Sequence, residues 1–364
     1  MRIGLRIGPQ NEFTPVPEYL AFLRRAEELG FDPLLFSDTV SLSHFHVRDP
    51  FVLMALAAGA THRAALGTGV STPFTRHPAV VANAIGSVDD AIAPRGMFLD
   101  IGSGDRAVYL LGKRAARLAE MREYLTAMRG LLDGETVEYE GATLKSNWRK
   151  PHIPICAAAD GPKMMALAGE LADQVILGAG ATAEVLAWAR DNIAEGERRA
   201  GRAVGTTPIW VDTIVSVGED REEVRRAIRP RLCNRANHNF RMAYHCVPEE
   251  HLAGVRNFRE NYDESDVGSK TRNAERITDY IIDRFAIAGT PKDVAERFEE
   301  LRSLGVENMI VAMPFRLEER YAIIETLGRE VLPRVAGVDL PHGGAHQPTE
   351  DRRRKAAHEP RGGR

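Results

Sequence analysis

The sequence predicts an α/β protein in which eight parallel strands, each followed by a helix, close into a barrel. Short apolar runs recur along the chain, and each one ends at a polar or glycine-containing step that precedes a helix-like segment. Continuous apolar runs are typical of strands that are buried on both faces. The runs lie near residues 3, 34, 67, 98, 155, 176, 212 and 310. Eight is the number of strands that closes a (β/α)8 TIM barrel.

The helical segments complete each repeat in chain order. Apolar residues from Tyr19 to Leu29 recur at three- and four-residue spacing, and Gly30 stands where a helix ends. Helix-like segments follow at 50–60, 78–91, 115–132, 162–171 and 183–199. In the last unit, Thr290, Pro291 and Asp293 have the spacing of an N-cap, a first helical residue and a capping acid. We expect one barrel domain over residues 1–335.

Three segments depart from this repeat. Residues 137–142 read as a small hairpin, and residues 219–289 form an insertion before the last βα unit, a length typical of lids or oligomer contacts. Within the insertion, residues 233–245 are helix-like and carry basic, amide and aromatic side chains, which is compatible with a pocket wall or with a solvated helix. The basic, Gly- and Pro-rich segment 341–364 predicts a disordered tail. Its short basic run at 352–355 is a weaker indication of nucleic-acid contact.

Composition narrows the class of function. The chain has 364 residues, 44% of them hydrophobic, and a net charge of -3, so the folded part has no field that would attract nucleic acid. Three cysteines without a CxxC spacing fit a reducing compartment. No apolar stretch approaches the ~18 residues that cross a bilayer. We therefore expect a cytoplasmic protein that acts on a small organic molecule, without nucleic acid or membrane as partner.

Two glycine motifs follow predicted strands. Residues 102–105 (Gly-Ser-Gly-Asp) leave the fourth strand, and residues 160–163 (Asp-Gly-Pro-Lys) lead directly into a helix. The start of a helix can hold a phosphate through its unpaired N–H groups and its dipole, and Lys163 adds positive charge. A tight turn with proline at the first helical position is the structural alternative. Neither motif matches a Walker A or GxGxxG pattern.

Several acidic and imidazole side chains are expected at the same mouth. Asp38 and Asp105 follow strands two and four, so each is a candidate to orient a ring N–H or to act as acid or base. A turn or N-cap role is the alternative for Asp38. His44 and His46 form an H-x-H pair without further ligands at metal spacing, which favours substrate contact or plain surface histidines and no metal site. His77 either faces the pocket or caps a helix.

Several ordered motifs together resemble the luciferase-like monooxygenase superfamily. They lie at residues 67–73, 76–78, 102–105, 153–173 and 288–291. The Gly-x-Gly-Asp step and the Ala-x-Gly-Pro helix start are most similar to the methylenetetrahydromethanopterin reductase branch, whose cofactor is a deazaflavin. Close bacterial relatives of that branch are also classed as FMN-dependent.

The resemblance implies a TIM-type barrel that binds a flavin or deazaflavin at its C-terminal mouth. It implies a bulge behind the cofactor ring, with a non-prolyl cis peptide between Gly69 and Val70. It also implies a catalytic acid at Asp105 and a ring or pocket-wall position for Asp38. The predicted catalytic residues are Asp38, Asp105, His44 and His46. The predicted cofactor-binding residues are Gly69, Val70, Thr72, Gly102, Gly104, Asp160, Gly161, Lys163, Met164 and Gly178.

One position departs from the pattern of the deazaflavin dehydrogenases that oxidise alcohols and sugar phosphates. Those enzymes carry a histidine after the aspartate of strand two, whereas this chain has Thr39. A base for a hydroxyl proton is then missing unless His44 or His46 replaces it, which argues against simple alcohol oxidation.

The function favoured by these observations is a two-component monooxygenase that uses reduced FMN and O2. A separate flavin reductase would supply the FMN, and we expect a homodimer or a higher homo-oligomer. The first alternative is a coenzyme F420 (deazaflavin)-dependent reductase or dehydrogenase that transfers hydride. The second is a flavin-binding protein without turnover, or a barrel that binds phosphorylated metabolites.

Overall fold

The fold is a closed parallel barrel surrounded by helices. The computed structural model describes residues 1–40, 46–104, 106–147, 153–240, 246–266 and 268–335. The predicted tail at 341–364 lies outside the described residues. The strands are β1 (Arg2–Ile7), β2 (Leu34–Phe36), β3 (Leu66–Thr68), β4 (Met97–Ile101), β5 (Thr136–Tyr139), β6 (Ala142–Lys145), β7 (Ile155–Ala158), β8 (Gln174–Leu177), β9 (Ile209–Val217), β10 (Ala286–Gly289) and β11 (Asn308–Ala312).

The barrel contains the eight strands that the apolar runs predict. Parallel pairing runs in the order β9, β11, β1, β2, β3, β4, β7, β8, and a further β8–β9 pairing closes the ring. The carboxyl ends of all eight strands therefore meet at one mouth, and β7 lies across the barrel from β1. The predicted (β/α)8 TIM barrel is confirmed.

Helices pack around the barrel and bury its outer face. They are α1 (Val16–Glu28), α2 (Pro50–Ala58), α3 (Pro78–Ile92), α4 (Arg106–Tyr109), α5 (Leu118–Asp133), α6 (Pro162–Leu171), α7 (Ala183–Arg199), α8 (Arg221–Phe240), α9 (Glu249–Glu260), α10 (Asp279–Phe285), α11 (Pro291–Ser303), α12 (Leu317–Thr326) and α13 (Leu332–Val335). In the part of the chain that the structure describes, no helix is both long and apolar enough to cross a membrane.

Local sequence signals explain where several helices begin. Thr290 and Asp293 cap each other's backbone groups at the start of α11, as their spacing predicts. At the start of α3, the His77 Nδ1 atom accepts a hydrogen bond from the Ala79 amide at 3.2 Å. Of the two roles considered for His77, the structure therefore shows the helix cap.

The insertion at 219–289 packs as a separate apolar cluster against the barrel. It contains α8, α9, a short 3₁₀ helix (Arg272–Arg276), α10 and β10. The strand β10 was not expected from the sequence; it pairs with the last residues of β9 and stands outside the ring of eight strands. The inner face of α8 is buried with α10 and β10, so this helix covers one side of the barrel mouth.

The barrel interior changes character from bottom to top. Its lower layer is apolar and consists of Leu35, Phe98, Cys156, Ile176, Trp210 and Ile310. The next inward-facing positions toward the mouth carry charges or no side chain, among them Arg6, Gly69, Asp100, Gly178 and Asp212. The charged layer is therefore the floor of the mouth.

Candidate functional site

An ion-pair network crosses the floor of the mouth. Arg6 on β1 contacts the Asp212 carboxylate on β9, with 2.7 Å between Nη2 and Oδ2. Arg235 on α8 donates to the backbone oxygen of Asp212 at 2.7 Å and lies 3.4 Å from its Oδ1 atom. The Arg6 side chain is 28% exposed although it points into the barrel. This exposure shows that the floor is open to solvent from above.

Asp100 on β4 lies beside this network and is almost fully buried. Neither of its carboxylate oxygens has a hydrogen-bond partner among the described residues. Burial raises the pKa of Asp100 well above its usual range, Arg6 opposes the shift, and Asp212 and Asp160 add to it. Asp100 is therefore a candidate for a neutral, proton-carrying carboxyl group beneath the mouth.

Asp160 and Gly178 join the ends of β7 and β8. The Gly178 amide donates to Asp160 Oδ1 at 2.6 Å. A Cβ at Gly178 would lie 3.1 Å from both oxygens of Asp160 and 3.2 Å from Arg235 Nη2. Burial raises the pKa of Asp160, and the neighbouring Arg235 opposes that shift. Gly178 is thus the position that lets the carboxylate and the guanidinium approach the strand end.

The start of α6 is an open helix terminus. Gly161 is its N-cap residue and no side chain caps it, Pro162 occupies the first turn, and Lys163 is exposed. Unpaired N–H groups at such an end attract anions. No side chain therefore caps the helix start at which the phosphate site of Gly161, Lys163 and Met164 is predicted, and that site stays a prediction.

Asp38 forms a buried ion pair. Its Oδ2 atom accepts from Ser71 Oγ at 2.7 Å and from Arg76 Nε at 2.8 Å, and its Oδ1 atom accepts from Arg76 Nη2 at 3.1 Å. Although burial disfavours the charged form of Arg76, the hydrogen bonds that its guanidinium donates to Asp38 and Asp49 raise its pKa. This geometry favours a positioning role for Asp38, because its oxygens hold the loop after β3.

The loop after β3 contains the predicted bulge. The peptide bond between Gly69 and Val70 is cis, where the resemblance implies it. A Cβ at Gly102 would lie 2.7 Å from Val70 Cγ2 and 3.3 Å from the Ala158 Cβ. Val70 therefore projects into a space that exists because Gly102 has no side chain. The Thr72 hydroxyl is buried and lies 3.1 Å from that of Thr75.

The other predicted site residues are His44, His46, Gly104 and Asp105. His46 is exposed; its backbone pairs with Gln10, and its ring is 6.3 Å from that of Phe13 in an edge contact. Gly104 has a left-handed backbone with φ 92°. His44 and Asp105 lie outside the described residues, so their catalytic roles stay predictions, as does the role of His46.

Sequence reasoning missed the charged floor. Arg6, Asp100 and Asp212 interrupt otherwise apolar strands, and a charged residue is almost never fully buried unless it is paired. That interruption was the available signal. Arg235 lies within the segment 233–245, for which both a pocket wall and a solvated helix were considered. Its contact with Asp212 places this part of the segment at the wall.

Comparisons with known proteins agree with this architecture. A profile of the luciferase-like monooxygenase family matches residues 2–308. The chain is 30% identical over 354 residues to the 5,10-methylenetetrahydromethanopterin reductase of Archaeoglobus fulgidus. This alignment covers 92% of this chain and 100% of the reductase. It is 29% identical over 365 residues to the F420-dependent glucose-6-phosphate dehydrogenase of Intrasporangium calvum. This alignment covers 93% of this chain and 100% of the dehydrogenase.

A solved structure shares the fold. The coenzyme F420 dependent tetrahydromethanopterin reductase of Methanopyrus kandleri superimposes with a TM-score of 0.73 at 22% identity, over 92% of this chain and 99% of that one. The predicted family and branch are confirmed. The chain belongs to the luciferase-like monooxygenase family and is an oxidoreductase.

Proposed function

We propose that this protein is a coenzyme F420-dependent reductase or dehydrogenase that transfers hydride to or from a small organic substrate. The observation that carries the proposal is similarity along the whole chain to a reductase and to an F420-dependent dehydrogenase. The sequence alone favoured reduced FMN with O2. Relatives that match from end to end support the deazaflavin alternative better.

Apolar and polar walls of the mouth support the binding of a planar tricyclic ring. Because Gly102 has no side chain, Val70 packs over it beside Ala158, and these residues give the mouth an apolar wall. Across the mouth, the polar floor of Arg6 and Asp212 can face the ring's polar edge. The uncapped start of α6, with Lys163, suits a phosphate in the cofactor tail.

The protein's own residues would bind and orient the reactants. A bound deazaflavin would supply a ring carbon that carries hydride. Arg76 and Ser71 hold Asp38, which fixes the loop that carries Val70. Asp100, whose pKa burial raises well above its usual range, can hold a proton beneath the mouth. The insertion helix α8 covers one side and limits the access of water.

A binding experiment tests the cofactor. The purified full chain would be titrated with F420 and with FMN, oxidised and reduced, while intrinsic and cofactor fluorescence are recorded. We expect F420 to bind at least about tenfold more tightly than FMN, and no O2 uptake with reduced FMN. Tight FMN binding with O2 consumption would instead support the monooxygenase alternative and overturn the proposal.

The chain offers a matched pair of lysines for this test. Lys163 and Lys292 both follow a proline in the first turn of a helix, but α6 is uncapped and α11 is closed by Thr290 and Asp293. Lys163→Gln is expected to weaken F420 binding about 5- to 30-fold, the worth of one charge-assisted phosphate contact. Lys292→Gln should change it less than about twofold, because a capped, dipole-compensated end has no phosphate to hold. Equal effects of the two substitutions would mean that the cofactor phosphate does not bind at the start of α6.

A further inference from the structure

Three arginines converge where β9, β11 and β1 reach the mouth. Arg6 is on β1, and its register partner on β11 is Ala312. The Arg231 Nη2 atom donates to the backbone oxygen of Ala312 at 3.3 Å. Arg235 contacts β9 through the backbone oxygen of Asp212. Arg231 and Arg235 are one helical turn apart, so they lie on the same face of α8.

The arginines outnumber the carboxylates that contact them. Asp212 contacts both Arg6 and Arg235. Arg231 makes no ion pair with a described carboxylate and has only the carbonyl contact. The buried Nε atom of Arg6 also lacks a hydrogen-bond partner within the described ranges. Two other carboxylates lie close by: Asp160 is near Arg235, and burial raises the pKa of Asp100. Arg231 and the Nε atom of Arg6 therefore keep donors that no described carboxylate uses.

The crowding of these cations has an energetic consequence. Burial lowers the pKa of Arg231 to about 10; Glu319 opposes the shift, while Arg235, Arg6 and Arg320 add to it. A guanidinium in this position is costly to the folded protein unless an anion compensates it. Planar guanidinium forks also match the geometry of carboxylate and phosphate oxygens.

We infer that Arg231, Arg6 and Arg235 form the substrate's anion subsite, so that the substrate is an organic molecule bearing a carboxylate or a phosphate group. The inference rests on the proposed function in one respect, namely that the anion belongs to the molecule that is reduced or oxidised. Arg6 and the carbonyl that Arg231 contacts lie on β1 and β11, across the barrel from β7 and α6. Arg235 reaches from α8 toward Gly178 and Asp160 at the ends of β8 and β7. Arg6 and Arg231 therefore set the substrate anion apart from a cofactor phosphate at the start of α6.

Anion binding without cofactor tests the subsite. The full chain would be titrated with inorganic phosphate and with succinate by calorimetry, and its thermal unfolding midpoint would be followed at each concentration. We expect saturable binding that raises the midpoint. Arg231→Gln should weaken it at least about tenfold, the loss of one charge-assisted contact. The more tightly bound probe identifies the preferred anionic group.

Two control variants separate the explanations. Arg226 is exposed on the same helix, so Arg226→Gln should leave anion affinity within about twofold, as expected for a screened surface charge. Lys163→Gln removes the charge from the other predicted phosphate site, so the anion affinity that remains in this variant belongs to the arginines. Anion affinity lost in Lys163→Gln and kept in Arg231→Gln would overturn the inference. Failure to bind F420 would refute the proposed function without affecting this result.

A stability measurement excludes a purely structural role. Because Arg231 is crowded by like charges, Arg231→Gln in anion-free buffer should unfold at the same temperature as the wild-type protein or higher. A clear fall in the midpoint would mean that the arginine holds the fold rather than a ligand. That outcome would overturn the inference.

Discussion

Replacing Asp38 by asparagine tests whether this residue positions the loop after β3. The substitution keeps the shape of the side chain and removes its charge. Asp38 is 4% exposed and Arg76 is 21% exposed, so the pair is largely desolvated. Breaking a buried pair costs about 3–5 kcal/mol. Arg76 keeps its contact with Asp49 at 2.5 Å, so we expect a loss of about 2–3 kcal/mol in the free energy of unfolding.

A double-mutant cycle isolates this interaction. Urea unfolding would be measured for Asp38→Asn, Arg76→Gln and the double variant. We expect a coupling energy of about 2 kcal/mol. Asp49→Asn is the matched control: Asp49 is 43% exposed, and asparagine preserves its N-cap contacts with α2. This control should cost at most about 1 kcal/mol.

Two results would refute the reasoning. A coupling energy below about 0.5 kcal/mol, typical of an exposed pair, would show that the ion pair does not anchor the loop. Full stability of Asp38→Asn together with loss of turnover would identify Asp38 as a catalytic acid or base instead.

Three further predictions concern other buried groups. The Arg320 guanidinium donates to the carbonyl oxygens of Gly8, Pro9 and Pro314 at 2.7–3.0 Å, and Arg320→Met leaves these oxygens without a donor. Urea unfolding should therefore show a loss of about 3 kcal/mol in the free energy of unfolding. A loss below about 1 kcal/mol would contradict this prediction. The pKa of Asp100 is higher in the folded protein than in the unfolded chain, where it is about 3.9. The protonated carboxyl group therefore stabilises the folded protein fully below pH ~3.9, and this stabilisation is lost as pH rises through the folded pKa. Above pH ~4, the free energy of unfolding of Asp100→Asn should therefore increase relative to that of the wild-type protein by up to about 1.4 kcal/mol per pH unit. Parallel curves of stability against pH for the two proteins between pH 4 and pH 7 would argue against a buried neutral carboxyl group. Gly178→Ala forces a methyl group against the Asp160 carboxylate and should cost about 1–3 kcal/mol in thermal unfolding; an unchanged midpoint would mean that this strand end relaxes freely.

The fold was readable because its signals are local. A strand that is buried on both faces must be apolar along its length, and the glycine or polar residue that stops it adjoins it in sequence. The capping box at Thr290 and the proline at α6 likewise depend on residues within one turn. The exception was β10, since Ala286–Gly289 follows α10 directly, without a turn residue that marks a strand.

The candidate site was only partly readable. The sequence by itself determined the barrel and the mouth to which Asp38, Gly102 and Asp160 belong. Only the tertiary structure decided that Arg6 pairs with Asp212 and that α8 brings Arg231 and Arg235 to the same side of the mouth. It also decided that Arg76 pairs with Asp38. Ion pairs form between residues far apart in the chain, and their geometry is set when the barrel closes. No local periodicity can encode that distance.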